Sequence, residues 1–418
     1  MTAYTNLSNS EKSTLKATLE QQYADFSAQS LDLDMTRGKP CAEQSDLSNA
    51  LLCNDQFTDS TGTDCRNYGG LDGLPQMKAL FADILELKAS NIIIGGSSSL
   101  IMMFDTLARA CLFGVSESLA PWHGQDAQFL CPSPGYDRHF TASEALDLSS
   151  ILIEMTDTGP DMDAVEALVA NDASIKGIWC VPKYSNPTGI TYSDETVERL
   201  ANMKTAADDF RIMWDNAYAE HHLDNQLDSV KEIIAACAAA GNPNRAYVFA
   251  STSKMSFAGS GVAAFASSPE NVAYAKKILG AQGIGPDKMN QLRHIALFPD
   301  LAALRAHMNK HAAILAPKFK RVDEILTEEL TDSGIALWTK PTGGYFISLD
   351  LNQGSAKRAI ELAANIGVKL TAAGAPFPKG IDPNDCNVRI APSFPNMDDI
   401  STAMTAFTVC LKLAALDA

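Results

Sequence analysis

Short apolar runs alternate with helix-length stretches through the middle of the chain. The runs at 91–95, 128–131, 150–155, 177–181, 212–215, 246–250 and 262–266 are apolar on both faces, and most end in or just before Gly, Pro, Ser, Asp or Asn. Between several of them lie stretches of helical length, such as 100–113 and 193–209. Strands buried on both faces and separated by helices predict an α/β fold: a mainly parallel seven-stranded sheet with helices on each side. Ligands of such sheets sit beyond the carboxyl ends of the strands, so the residues just after each run are where chemistry is expected.

From residue 301 onward the period changes. Leu301, Leu304, Met308, Ala312, Leu315, Phe319, Val322 and Leu326 recur every three or four residues, the spacing of one long amphipathic helix, kinked near Pro317. It leads into a smaller α+β part, with strands at 344–349 and 387–390 and helices at 356–365 and 397–413. The division this predicts is a large ligand-binding domain over 61–305 and a small C-terminal domain over 306–418, with 1–60 as the N-terminal segment of the small domain.

Composition narrows the function. Of 418 residues, 46% are apolar and 20% charged, enough for a large core. The net charge of −17 disfavours phosphate backbones and anionic membrane surfaces, so neither nucleic acid nor membrane is an expected partner. The nine cysteines form no C-x-x-C and are odd in number, which points to reduced thiols rather than a zinc knuckle or disulfide scaffold. The polar N-terminus has no signal-peptide pattern, and no run of 18 apolar residues suggests a membrane span, so a cytoplasmic location is expected.

Four post-strand sites carry chemistry. Gly95-Gly96-Ser97-Ser98-Ser99 joins a strand to a helix and suits anion binding by helix N-terminal amides. Asn186-Pro187-Thr188-Gly189 follows the run at 177–181. Asp215 ends the run at 212–215, with Tyr218 three residues on. Ser251-Thr252-Ser253-Lys254 follows the run at 246–250. Each alone reads as an ordinary turn or cap. Ser251-x-x-Lys254 also fits the S-x-x-K of serine acyl enzymes, with Tyr184-Ser185-Asn186 and Lys340-Pro341-Thr342-Gly343 as partners, but in that class S-x-x-K comes first along the chain, whereas here it follows Asn186.

In this order and on this fold, the set resembles the fold-type I pyridoxal-phosphate enzymes, in particular the class I aminotransferases. Tyr68-Gly69-Gly70-Leu71-Asp72-Gly73, Pro341-Thr342-Gly343-Gly344-Tyr345-Phe346 and Val388-Arg389-Ile390 add to the likeness, which runs from Arg37 to the C-terminus. The stretches from Thr36 to Pro40 and from Gly285 to His294 further resemble a bacterial aspartate aminotransferase-like subgroup.

The resemblance implies pyridoxal 5'-phosphate as cofactor and assigns roles. Lys254 would hold the cofactor covalently and later move a proton. Asp215 would pair with the ring nitrogen, Asn186 and Tyr218 would bond the ring hydroxyl oxygen, and Tyr136 would stack on the ring. Gly96, Ser97, Ser98, Ser251 and Ser253 would cradle the phosphate, with Tyr68 reaching in from a second subunit of a homodimer with shared sites. Arg389 would hold the substrate α-carboxylate as a bidentate pair, and Gly38 would lie over the substrate. One departure stands out: the family's phosphate-neutralising Arg is replaced by Val262, which leaves Lys288 and Arg293 as candidate cations.

The implied reaction moves an amino group from an L-amino acid, with aspartate the expected donor, to 2-oxoglutarate. The alternatives are a broader aminotransferase acting on alanine, aromatic or aminoadipate-like donors, and a cofactor-binding sensor domain. A dicarboxylic donor needs a second cation. Arg37 is the first choice, ahead of Lys39, Arg138, Lys288 and Arg293, and the competing reading pairs Arg37 with Asp34 or Glu43. No metal site is expected. His221-His222 reads as a solvated loop, and His307 and His311 as an ordinary helix surface without the H-E-x-x-H glutamate.

Overall fold

A computed structural model describes residues 3–118, 120–224, 227–352 and 354–418. Met1, Thr2, Leu119, Asn225, Gln226 and Gln353, which fall inside the domain ranges given above, lie outside the described residues.

The large sheet has eight strands, in the order Ile92–Gly95, Ala263–Ala266, Ala246–Ser251, Arg211–Asp215, Ile175–Cys180, Gln128–Ser133, Ser149–Thr156 and Gly159–Pro160. The central pairings are parallel. Ala263–Ala266 runs antiparallel to both its neighbours, and Gly159–Pro160 runs antiparallel to Ser149–Thr156. All seven expected strands are present. The eighth is two residues long, too short to leave a periodic signal. Arg211–Asp215 and Ala246–Ser251 are buried along their whole length, as central strands covered on both faces must be.

One helix is shorter than the pattern and one matches it. The stretch expected to be helical over 193–209 is helical only at Asp194–Asn202. Its tail is instead pinned through buried Asp209, which takes the Lys176 ammonium at 2.8 Å and the Trp122 indole N–H at 2.9 Å. The long helix Leu301–Leu330 has the expected bounds and carries Pro317 inside it.

Beyond it, Ala336–Trp338, Ile347–Leu351 and Asn387–Ile390 form a three-stranded antiparallel sheet. Ala336–Trp338 was not legible as a strand. Ile347–Leu351 begins later than expected because Gly343 and Gly344 first wrap Tyr184: a Cβ on Gly343 would lie 2.3 Å from the Tyr184 ring, and Gly344 has φ +80°. The N-terminal helix Asn9–Ser27 packs on the C-terminal helix Met397–Asp417, with Lys16 paired to Asp417 at 2.6 Å. Leu33–Asp34 adds a parallel pairing to Val368–Lys369. Met397–Asp417 is long and apolar enough to cross a membrane, but 67% of its most apolar window is buried against the rest of the protein, as in a core helix.

Candidate active site

A cavity of about 200 Å³ opens at the carboxyl ends of the central strands. Tyr136, Asn186, Asp215, Tyr218, Ser98, Ser253 and Lys254, all expected from the sequence, line it together with Ser99, Leu100, Val181 and Ala217. Each polar lining residue follows a strand or opens a helix, so the sheet's parallel run brings them to one edge.

The floor is built around Asp215. One of its oxygens lies 3.1 Å from His139 Nε2, while Oδ1 is buried and has no hydrogen-bond partner among the described residues. His139 is stacked on Trp179 with ring centroids 4.3 Å apart, and Trp179 in turn donates to Ser143 Oγ at 2.9 Å. This support was missed in the sequence. Its only trace is that His139 lies one helical turn after Tyr136, on the helix Asp137–Ala145.

Lys254 reaches the same space. It is partly exposed to the cavity, but its amine is enclosed by protein, 4.9 Å from the Tyr218 ring centroid. Burial lowers its pKa below the usual lysine range, and Asp215 opposes that shift. Burial, with Tyr136 and Asp215 nearby, raises the Tyr218 pKa well above its usual value, so its hydroxyl stays a donor.

The anion cradle differs in detail from the expectation. Ser98 caps the helix Ser99–Phe113, its Oγ accepting from Ile101 N at 3.4 Å, so the free first-turn amides point at the cavity. Ser251 and Ser253 hydroxyls bond each other at 2.8 Å, and of the two only Ser253 lines the cavity. Gly96 and Ser97 form the turn behind the cradle. Gly261 backs onto it so closely that a Cβ there would meet Ser97 O at 2.6 Å.

Val262 is buried, its backbone N–H held by Thr252 Oγ1 at 2.9 Å. Neither candidate replacement cation reaches the cavity. Lys288 is buried and donates to the carbonyls of Asn67 and Gly69 at 2.8 and 2.7 Å, while Arg293 is exposed on its helix. Lys254 is therefore the one cation among the described residues lining the cavity.

Arg389 is buried beside this floor, its Nη1 3.3 Å from Asn186 Oδ1, with its guanidinium carbon 5.0 Å from the Phe346 ring centre. Gly38 packs against the tip of that ring, where a Cβ would lie 2.3 Å from Phe346 Cζ. The layers Gly38, Phe346 and Arg389 thus tie the N-terminal loop to the site. Arg37 is exposed and pairs with neither Asp34 nor Glu43. Tyr68 is 82% exposed and stands away from its own chain's cavity.

Three histidine expectations are corrected. His221 is buried, with neither ring nitrogen bonded; burial and the Lys254 amine push its pKa well below the usual value. His307 and His311 are also buried, because their helix face turns toward the segment after Lys254 rather than to solvent. His307 Nε2 lies 2.8 Å from Met255 O and 3.0 Å from His311 Nε2, and His311 Nδ1 lies 2.9 Å from Gln44 Nε2. Gln44 continues to Tyr345 Oη at 3.1 Å, which donates to Lys254 O at 3.2 Å. No group of three or more His, Cys, Asp or Glu suited to a metal occurs among the described residues.

A lysine, a strand-end aspartate and a helix-capped anion cradle at the edge of such a sheet define the fold-type I aminotransferase class. The chain belongs to the aspartate amino-transferase family, whose sequence model matches residues 7–418. A Mycolicibacterium smegmatis protein described as an aminotransferase is 49% identical over 405 residues, 96% of this chain and 95% of that one. An aspartate aminotransferase of Corynebacterium glutamicum is 45% identical over 403 residues, 96% of this chain and 93% of that one. The crystal structure of an aspartate transaminase from Corynebacterium glutamicum matches with TM-score 0.96 at 43% identity, covering 99% of this chain and 98% of that one. The protein is an aspartate aminotransferase-like transferase, and its family implies pyridoxal phosphate as cofactor.

Proposed function

We propose that the protein transfers the amino group of L-aspartate to 2-oxoglutarate in two half-reactions, with pyridoxal 5'-phosphate held in the cavity described above. The observation that carries this reading is Asp215 Oδ1, a buried acceptor without a donor, facing the same space as the Lys254 amine. A protonated ring nitrogen is the donor that oxygen lacks. The hydroxyls of Ser98 and Ser253 and the helix N-terminus fit a phosphate, and Lys254 is the amine that fits an aldehyde. Bound there, the cofactor supplies the carbonyl that accepts the amino group and the ring that accepts electrons.

The chain's own residues do the rest. The lowered pKa of Lys254 favours the free amine, which would take a proton from the substrate Cα and pass it to the cofactor carbon bearing the amino nitrogen. Asp215, oriented by His139, would hold the proton on the ring nitrogen. Tyr218 and Asn186 would bond the ring hydroxyl oxygen, and Tyr136 would cover the ring face. Arg389 takes the α-carboxylate, Gly38, packed on Phe346, lies over the substrate, and Arg37 is the distal cation. Aspartate is favoured by the 45% identity to the Corynebacterium glutamicum aspartate aminotransferase.

We read the active form as a cytoplasmic homodimer, because Tyr68, exposed on its own chain, is matched to a residue that reaches a partner's cofactor. Residues 61–305 then act as the cofactor domain, and 1–60 with 306–418 as the small domain. Mixing Tyr68→Ala and Lys254→Ala under subunit exchange should restore activity, since one site in a mixed dimer is intact. Activity that never exceeds the sum of the parents would show sites built within one chain. The function itself is tested by a panel of amino donors with 2-oxoglutarate. Aspartate should lead. Equal turnover of alanine, aromatic or aminoadipate donors would make the enzyme a broad one, and cofactor binding without turnover of any donor would make it a sensor.

A further inference from the structure

Arg389 already holds a carboxylate of its own chain. Its Nη1 donates to Asp137 Oδ1 at 2.9 Å as well as to Asn186 Oδ1 at 3.3 Å, and its Nε donates weakly to Thr371 Oγ1 at 3.4 Å. No hydrogen bond from Nη2 is present among the described residues. The Arg389 side chain is 8% exposed, whereas the Asp137 side chain is 32% exposed. Asp137 opens the helix Asp137–Ala145, directly after Tyr136, so its backbone is fixed while its carboxylate can turn. Its other oxygen lies 3.9 Å from Arg138 Nε, and the Arg138 side chain is 57% exposed. The carboxylate therefore stands between a buried guanidinium and an exposed one.

We propose that Asp137 sets the affinity for substrate by competing with the α-carboxylate for Arg389, so that binding exchanges one carboxylate for another. The proposal rests on the reading of Arg389 as the α-carboxylate receptor. A carboxylate seated on the Nη1–Nη2 end of the guanidinium needs the nitrogen that Asp137 occupies. If Asp137 stayed, two carboxylates would share one buried cation. If it turns toward Arg138, it keeps a partner and the substrate gains an unshared fork. Asp137 is then a positioning residue: it acts through Arg389 in the free enzyme and has left Arg389 when the chemistry occurs. Its effect falls on substrate affinity rather than on turnover, and equally on every amino acid, since all carry an α-carboxylate.

The test uses the holoenzyme and succinate, a dicarboxylate that cannot react, with its dissociation constant measured by calorimetry. The wild type is compared with Asp137→Asn, Asp137→Glu and Arg389→Ala. Removing a charged competitor from a charge-assisted hydrogen bond should tighten succinate by about five- to tenfold in Asp137→Asn. The KM values for aspartate and alanine should fall by the same factor, with kcat within about twofold. Alanine has no distal carboxylate, so a change at Arg138 cannot mimic the effect. Asp137→Glu keeps the charge and should stay near wild type. Asp137→Ser takes the place of Asp137→Asn if that variant does not fold. Unchanged or weaker succinate binding in the neutral variant, or a change confined to kcat, overturns the proposal. The Arg389→Ala arm tests the underlying reading separately: it should lose succinate binding, and if it does not, Arg389 is not the carboxylate receptor, whatever Asp137→Asn does.

Discussion

The floor of the site and its rim are built on opposite principles. On the floor, Asp215, His139, Trp179 and Ser143 are buried and linked in series by a hydrogen bond, a ring stack and a second hydrogen bond. At the rim, Arg37 is exposed and makes no ion pair among the described residues, Arg138 touches Asp137 at 3.9 Å, and Tyr68 is 82% exposed. A buried polar chain fixes orientation, because any loose member leaves an unsatisfied group in low dielectric. An exposed cation is free to follow what arrives. Under the proposed function, the floor is the part common to any amino donor, and the rim is the part that chooses among donors.

That contrast ranks what mutations should do. The largest effect is expected at Lys254. Lys254→Ala should lose both the absorbance of covalently held cofactor and all measurable transamination, while its thermal unfolding stays cooperative. A reducible adduct on another lysine in that variant would remove Lys254 from the role. Next is Asp215→Asn, which should still bind cofactor yet lose two or more orders of magnitude in kcat, roughly 3 kcal/mol or more, because an amide cannot hold the ring nitrogen protonated. Turnover within a few-fold of wild type would show that the floor does not act through that nitrogen.

The rim should answer selectively. Arg37→Ala should lower kcat/KM for aspartate by about tenfold or more and leave alanine nearly unchanged, narrowing the preference between the two. Steady-state kinetics with both donors decides this. Equal losses, or none, would pass the distal role to Arg138 or another exposed cation.

The smallest effect concerns the histidines behind Lys254. Burial, then His307, lowers the His311 pKa from 6.5 to about 3, and burial lowers that of His307. A folded-state pKa below the unfolded one means that the unfolded chain binds more protons in the interval between them, so stability is full above pH 6.5 and falls as the pH drops toward 3. His311 contributes up to about 1.4 kcal/mol per pH unit in that interval. Gln44 and Ser48 hydrogen-bond this pair, and Lys310 and buried His221 act on it electrostatically. His311→Gln should therefore flatten the acid limb of stability measured by urea unfolding between pH 7 and 4. An unchanged slope would mean that His311 is protonated within the fold.

The same contrast separates what the sequence made legible from what it did not. The floor residues Asn186, Asp215, Ser253 and Lys254 each follow a short apolar run, so strand pattern and position located them together. Strand ends and the long helix Leu301–Leu330 were equally clear, since burial on both faces and a sustained 3.6-residue period leave strong signals. His139 and the His307–His311 pair were missed because their partners are distant in the chain: which face of a helix is covered depends on tertiary packing that a periodic pattern does not specify. Lys288, offered as a replacement for the arginine absent at Val262, instead donates to two loop carbonyls, Asn67 O and Gly69 O, more than two hundred residues away in sequence. The pairing of Arg389 with Asp137 joins residues on separate layers, and no local spacing marks it.

The central claim is that Lys254 is the amine that holds the cofactor. The most direct measurement is borohydride treatment of the coloured holoenzyme followed by peptide mapping by mass spectrometry. The account predicts loss of colour, loss of activity and a single phosphopyridoxyl group on the peptide containing Lys254. The group on any other lysine, or a protein that keeps its colour and activity after treatment, would contradict it.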